Sequence, residues 1–294
     1  MTGLGGTVPA LVTPFTPGGA AVDLEALEAH VTWLAERGVR LVSPLGTTGE
    51  GPSLSLAERK AVIERLATHS SGVRLLPGTG CTALPETIEL TRFAVEQGAT
   101  AALVAPPWYY DATPSGTRAY FTALLEALPE GASVLAYHIP AMTGVPVTDE
   151  ILRELSDRSG ARLVGAKDSS GDIEHAGRWI TEFPELAIFP GSDSLAARAA
   201  QLGAAGTITL LGNVLPDELE AIRAGDEVER RQRFLSDVRA LTQEFPRHAA
   251  LKHLLHLVSG LPRAAVRPPL EELTREQEAR LEAHFHELRS EVHV

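Results

Sequence analysis

Arg162-Leu163-Val164-Gly165-Ala166-Lys167-Asp168-Ser169-Ser170-Gly171 begins as a short apolar run and ends on a lysine, small polar residues and a glycine. The run reads as a buried strand. The lysine at its far end is unusual, because ammonium groups are seldom buried unless they are paired or functional. The chain has three lysines, and Lys60 and Lys252 sit in helix-like, charge-rich surroundings, so Lys167 alone lies at a strand end. A lysine there can lose its proton near neutral pH through desolvation and attack a carbonyl as a free amine. The competing reading is a lysine that caps the sheet edge or pairs with Asp168.

Outward from this strand the same unit recurs. Short apolar runs at 8–13, 39–43, 73–77, 101–105, 133–137, 186–189 and 206–210 are each followed by a loop and a helical pattern. Asp23 and Ser55 are expected helix caps, Ser55 with Glu58 as its capping-box partner. The runs are continuous rather than alternating, as in parallel strands covered on both faces. Eight strand-then-helix units over about 220 residues predict a closed (β/α)8 TIM barrel, an α/β fold, spanning 1–225. Residues 226–294 read as helices only, at 228–245, 249–259 and 274–290, a C-terminal helical extension packed on the barrel. An open doubly wound sheet is the alternative. No Gly-x-Gly-x-x-Gly follows the first strand, which argues against its dinucleotide-binding version.

Composition narrows the function classes. A net charge of −12, from 38 acidic and 26 basic residues, argues against nucleic-acid binding. One cysteine, Cys81, excludes a disulfide framework. No apolar run approaches a membrane span, and the N-terminus lacks the regions of a signal peptide, so a cytoplasmic location is expected. The ten histidines are scattered without metal-ligand spacing and read as helix-surface residues, so no metal and no cofactor is expected.

In a barrel the chemistry sits at the C-terminal strand ends. The residues there are Thr13, Thr47, Thr48, Thr79, Tyr109, Tyr137, Lys167, Ser169, Ser192, Asp193 and Thr209: neutral hydroxyls around one amine, with one carboxylate. That set suits a nucleophilic lysine with a phenol for proton transfer. In Gly46-Thr47-Thr48-Gly49-Glu50 the glycines free the backbone to turn N–H groups inward, a carboxylate cradle or an ordinary strand-to-helix turn. A phosphate cradle would need glycine-rich loops after strands 7 and 8, and those loops are not of that kind. Tyr137 could shuttle a proton or merely pack.

Gly46-Thr47-Thr48-Gly49-Glu50, Tyr137-His138-Ile139-Pro140-Ala141-Met142-Thr143-Gly144, Gly165-Ala166-Lys167-Asp168 and Gly191-Ser192-Asp193 follow one another in order. Together they resemble the dihydrodipicolinate synthase / N-acetylneuraminate lyase family of class I, pyruvate-dependent aldolases, over essentially the whole chain. The resemblance implies a Schiff base between Lys167 and pyruvate or a pyruvate-derived 2-oxo acid. Tyr137 is then the acid/base, and Thr47 and Thr48 hold the carboxylate and orient Tyr137. Gly46, Gly191, Ser192 and Ile208 are implied as further substrate-binding positions. Tyr109 matches a tyrosine that reaches a neighbouring subunit's site, and a homotetramer is implied. True synthases carry an arginine just before the Thr-Gly of the strand-5 motif. Here that residue is Met142, which cannot bind a carboxylate. Asp168, Ser169 and Ser192-Asp193 look more like the sugar-acid aldolases, with Ser169 and Asp193 as partners for substrate hydroxyls and Asp168, Ser169 and Met142 deciding substrate choice. The expected reaction is therefore C–C bond making or breaking between pyruvate and an aldehyde, with a 2-keto-3-deoxy sugar acid as substrate. The alternatives are 4-hydroxy-tetrahydrodipicolinate synthase, a dehydratase sharing the lysine, and a non-catalytic oxo-acid-binding barrel.

Overall fold

The computed structural model describes residues 4–158 and 162–292. Eight parallel strands alternate with helices: β1 (Gly6–Pro9), α1 (Leu24–Glu36), β2 (Leu41–Val42), α2 (Leu56–Ala67), β3 (Arg74–Leu75), α3 (Leu84–Glu96), β4 (Ala102–Val104) and α4 (Pro114–Ala127). The series continues with β5 (Val134–His138), the single turn α5 (Pro140–Thr143), α6 (Asp149–Arg158), β6 (Leu163–Asp168), α7 (Ile173–Glu182), β7 (Ala187–Pro190), α8 (Ala196–Gln201), β8 (Gly206–Thr209) and α9 (Pro216–Ala224). Both expected caps form: Asp23 accepts from the Ala26 N–H, and Ser55 and Glu58 make a reciprocal capping box.

The strands stand in sequence order around a barrel. Ladders join β2 to β3 and run β4-β5-β6-β7, and β8 returns beside β1 with Gly6 opposite Gly206. Between the ladders the contacts thin to single bridges, Ala10 with Ser43 and Gly78 with Leu103, and to one bond from the Ala205 N–H to the Ile188 carbonyl. Several strands are shorter than their apolar runs. The Val12 N–H donates to the Asn213 Oδ1 (3.0 Å) rather than to a ladder, and the Val39 N–H closes the end of α1 on the Leu34 carbonyl. Asn213 also donates to the Ala10 and Leu210 carbonyls (2.8 Å each), sewing the end of β1 to the loop after β8.

The barrel interior is filled by Val8, Leu41, Leu76, Leu103, Leu135, Phe189 and Ile208, with Tyr137 above them. The outer faces of β4–β7 bury against α4, α6 and α7 through Phe121, Leu152 and Trp179. The last helices, α10 (Val228–Gln243), α11 (Arg247–Ser259) and α12 (Arg275–Val292), do not form a separate body. Their Leu235, Val238, Leu251, Leu254, Leu281 and Phe285 share one apolar cluster with Val12, Leu210 and Leu211 at the ends of β1 and β8. That packing sets the N-terminal end of α11 over the barrel mouth. No helix among the described residues is long and apolar enough to cross a membrane.

Candidate active site

Strand alternation sorts the lysine stretch. In register, Lys167 lies opposite Tyr137 on β5 and Phe189 on β7, whereas Asp168 lies opposite His138 and Pro190. Successive residues point to opposite faces of a strand. Lys167 therefore faces the interior with Tyr137, and Asp168 faces the helices.

Lys167 is 4% exposed, and its Nζ stands 4.4 Å from the centre of the Tyr137 ring. Thr47, Ser169 and Lys167 surround the Tyr137 hydroxyl and favour its charged form. Burial pushes the phenol's pKa up, but the Lys167 charge and these neighbours outweigh it and hold the group below the usual tyrosine value. A phenol so held is suited to passing a proton between an amine and a substrate oxygen. The pair lines a cavity of about 270 Å³ with Thr47, Thr48, Ser169 and Ser192. Gly191, Ile208 and Met142 also line it, and Met142 is 57% exposed at its mouth. A second cavity of about 200 Å³ adjoins it, sharing Thr47, Tyr137 and Met142, and Gly46 belongs to its wall. Gly191 has no room for a side chain: a Cβ there would stand 2.1 Å from the Ser169 Oγ and 3.2 Å from the Lys167 Cε.

The Gly46–Glu50 loop is held from the C-terminal helices. His248, at the start of α11, donates from Nε2 to the Thr47 carbonyl (3.0 Å), and burial keeps its pKa below the ordinary histidine value, so it stays neutral. Glu50, at φ 54°, points its carboxylate into the protein, where Lys252 Nζ donates to Oε1 (2.5 Å) and the Arg267 N–H to Oε2 (3.0 Å). Lys252 is thus a buried partner of the loop, not a lysine of a charged helix face. Thr13 and Thr79, two of the strand-end hydroxyls, are spent on structure, on the Gly49 carbonyl (2.6 Å) and Thr91 (2.8 Å).

Several expectations are corrected. Asp193 does not line the cavity. It is fully buried, its Oδ1 accepting from the Leu211 N–H (3.0 Å) and its Oδ2 from Arg239 Nη1 (2.9 Å), so it has no oxygen to offer a substrate hydroxyl. Asp168 does not line the cavity either. Its carboxylate accepts from the Ser170 N–H (2.9 Å) and pairs with His175 Nδ1 (2.9 Å) on the outer side of β6. Tyr109, expected at a neighbouring subunit's site and not at its own, is 85% exposed, at φ 94°, and off the wall of the Lys167 cavity; Trp108 lines the adjoining one. The histidines are not all surface residues, because His30, His138 and His253 are buried.

Histidines also cluster where spacing gave no hint. His138, Asp168 and His175 bring their ligand atoms within 4.8 Å of one another, the one such group among the described residues. One nitrogen of each ring and both Asp168 oxygens are already engaged. His138 Nδ1 accepts from the Val147 N–H (3.1 Å), the His138 and His175 rings stack at 4.9 Å, and His175 Nδ1 holds Asp168. His175 is raised in pKa by its hydrogen bond to Asp168; Asp168 is lowered, burial being outweighed by His175 and Ser170. The group is a charged strut that ties the end of β6 to α7 and fixes the backbone next to Lys167.

The sequence reading also missed two cations at the mouth. Arg239 from α10 and Arg247 from α11 both line the cavity. Their positions in helical patterns carry no mark of that role. Only the packing of the C-terminal helices over β1 and β8 brings them there.

Known proteins are similar to this chain along nearly its whole length. The model of the dihydrodipicolinate synthetase family matches residues 3–288. An uncharacterized DapA-like lyase of Chloroflexus aurantiacus is 44% identical over 95% of this chain and 95% of its own. A 4-hydroxy-tetrahydrodipicolinate synthase of Sorangium cellulosum is 37% identical over 95% of this chain and 97% of its own. Among solved structures, the YagE protein of E. coli K12 in complex with pyruvate superposes with a TM-score of 0.90 at 28% identity, covering 97% of this chain and 98% of that one. A match that runs through both the barrel and the helices over its mouth takes in every element that builds the Lys167 cavity, and the chain belongs to the dihydrodipicolinate synthetase family.

Proposed function

We propose that the protein is a Schiff-base lyase in which Lys167 condenses with the C2 ketone of pyruvate or a related 2-oxo acid. The observation that carries this reading is the buried amine beside a phenol of lowered pKa, in a cavity walled by hydroxyls. The amine attacks C2, the carbonyl oxygen leaves as water, and a protonated imine remains. That imine is an electron sink. Loss of a C3 proton gives an enamine, whose C3 attacks an aldehyde carbon to form the C3–C4 bond; cleavage runs the same steps backwards. Tyr137, set among Lys167, Thr47 and Ser169, relays the protons between the amine and the leaving or forming oxygens. Thr47 and Thr48 hold the substrate carboxylate, on a loop fixed by His248 and Glu50. Tyr109, exposed on its chain, completes a neighbouring subunit's site in a homotetramer.

The product class favoured is a 2-keto-3-deoxy sugar acid or a similar 2-oxo acid, because Met142 stands at the mouth where a synthase needs a carboxylate partner. A second reading, 4-hydroxy-tetrahydrodipicolinate synthase, is favoured by the name of the 37%-identical relative. Exchange of the pyruvate methyl protons with deuterated water, followed by NMR, tests the enamine without knowing the aldehyde. Exchange is expected in the wild type, slowed about 10²-fold or more in Tyr137→Phe and abolished in Lys167→Met. Exchange that persists in Lys167→Met overturns the reading. Condensation of pyruvate with aspartate semialdehyde faster than cleavage of any keto-deoxy sugar acid decides for the second.

A further inference from the structure

The reacting pair stands back to back with the polar group outside the barrel. Tyr137 lies opposite Lys167 in the β5–β6 register, and the next pair along the same two strands is His138 opposite Asp168. Each residue of the inner pair is therefore joined through the chain to one of the outer pair. Backbone bonds tie three strands together here: the Ser169 N–H donates to the His138 carbonyl (2.8 Å), and the Gly191 N–H to the Asp168 carbonyl (2.7 Å). A change on the outer face reaches Lys167 and Tyr137 over a single residue.

His175 is the charged centre of the outer group. Its Nδ1 donates to Asp168 Oδ2 (2.9 Å), and its Nε2 stands 3.7 Å from Asp149 Oδ1 on α6. A ring between two carboxylates serves both only as the imidazolium, with an N–H on each side. Among the described residues, the titratable and charged groups facing it are Asp168 from β6, Asp149 from α6, His138 from β5 and Arg178 from its own helix, 4.0 Å from Asp149. The Asp168 hydrogen bond, outweighing burial, raises the His175 pKa, whereas burial lowers that of His138 and keeps it neutral. His138 is also excluded as a metal ligand. Its Nδ1 accepts from the Val147 N–H, so the neutral ring carries its proton on Nε2 and has no lone pair left for an ion. What remains for the group is titration. Once His175 loses its proton it can still donate to Asp168, but it brings no charge. The Asp168 side chain, 1% exposed, is then a buried carboxylate without a cation.

We infer that protonated His175 is a positioning residue for the Lys167–Tyr137 pair: its charge on Asp168 holds the ends of β5 and β6 in the register that brings the amine to the phenol, and loss of its proton loosens that register and lowers turnover. His175 never touches substrate. It acts through Asp168, from outside the barrel wall, and makes the site sensitive to pH through a group that takes no part in the proton transfers. Asp149 and Arg178 tune it in opposite senses, the carboxylate favouring the imidazolium and the guanidinium opposing it. The inference rests on the Schiff-base reading for which residues react.

The first measurement is free of chemistry at Lys167. The chain has only three lysines, so 13C at lysine Cε gives three signals, and 13C at histidine Cε1 reports His175, identified by its loss in His175→Gln. Both labels are followed by NMR between about pH 6 and pH 9. The Lys167 signal is expected to inflect at the His175 midpoint. Asp149→Asn, which keeps an oxygen for the Trp179 Nε1–H, is expected to move both inflections down by about 0.5 pH units or more, and Arg178→Gln to move both up. The second measurement is the pH profile of pyruvate methyl exchange. kcat is expected to fall about fivefold or more through the same midpoint, with KM changing less than about twofold, and to follow it in both variants. His175→Gln should show at low pH the rate that the wild type reaches only at the alkaline end. A Lys167 signal blind to His175 overturns the inference. So does an alkaline decline that stays in place while Asp149→Asn and Arg178→Gln move the His175 midpoint. Coupled inflections in a protein that exchanges no methyl protons and gives no borohydride adduct support the coupling and sink the Schiff-base reading alone.

Discussion

Replacing Lys252 by methionine tests how the substrate loop is held. Lys252 and Glu50 are both essentially out of solvent, 2.5 Å apart, with the Lys252 Nζ also donating to the Ala265 carbonyl (2.6 Å). Methionine keeps most of the stem beside Phe15, whose ring centre is 4.7 Å from the ammonium, and deletes only the charge and its donors. Glu50 is then left buried with the Arg267 N–H as its remaining partner. Removing one member of such a pair costs about 3–5 kcal/mol. Glu50 also occupies a left-handed backbone conformation, φ 54°, that non-glycine residues adopt only at a cost of ~1 kcal/mol, so losing its anchor lets the loop relax. Lys252→Met is therefore expected to lower the stability read from urea unfolding by about 3–5 kcal/mol. Because Thr47 and Thr48 sit just before Glu50, kcat/KM for pyruvate exchange falls between about 10-fold and 10²-fold. The double variant Glu50→Gln/Lys252→Met removes both charges and is expected to be less destabilised than the sum of the single variants. A loss under about 1 kcal/mol in Lys252→Met, or simple additivity in the double variant, refutes this account of the loop.

Three further outcomes follow from the same structure. His30 is buried, its Nε2 donating to the Asn213 carbonyl, and burial drops its pKa from 6.5 to about 4. The unfolded chain takes up that proton first, so stability worth at most roughly 3 kcal/mol is lost as pH falls from 6.5 towards 4, a loss that His30→Gln should flatten in urea melts across that range. His175 is raised by Asp168, so its contribution is full below pH 6.5 and disappears as pH rises through the elevated value; His175→Gln should remove this alkaline decline, and an unchanged decline would show that the strut is not the cause. Gly191→Ala puts a methyl 2.1 Å from the Ser169 Oγ and against the Lys167 stem, and should cut methyl exchange about 10²-fold with little change in the unfolding midpoint.

The barrel was legible because its signal is repetitive. Each strand is a short apolar run followed by a loop and a helical pattern, so the eight units could be counted without knowing any contact. Lys167 and Tyr137 were legible as strand-end residues, and the period of two explains why their neighbours misled. Asp168 sits one residue beyond Lys167 and so points at His175 instead of the cavity. Asp193 begins a helical turn after β7 and is drawn under Arg239. The clasp on Glu50 was illegible because it joins positions about 200 residues apart, and the two arginines because only helix packing brings them to the mouth, where no periodicity marks a partner. Lys252, one of only three lysines, was the single compositional hint.

The most direct measurement of the central claim is borohydride trapping. The protein is incubated with pyruvate, reduced, digested and weighed peptide by peptide. The account predicts one modification, on the peptide containing Lys167, with the mass of pyruvate less one oxygen, and its loss in Lys167→Met. A folded protein that carries no adduct, or one that carries it on Lys60 or Lys252, would contradict the account.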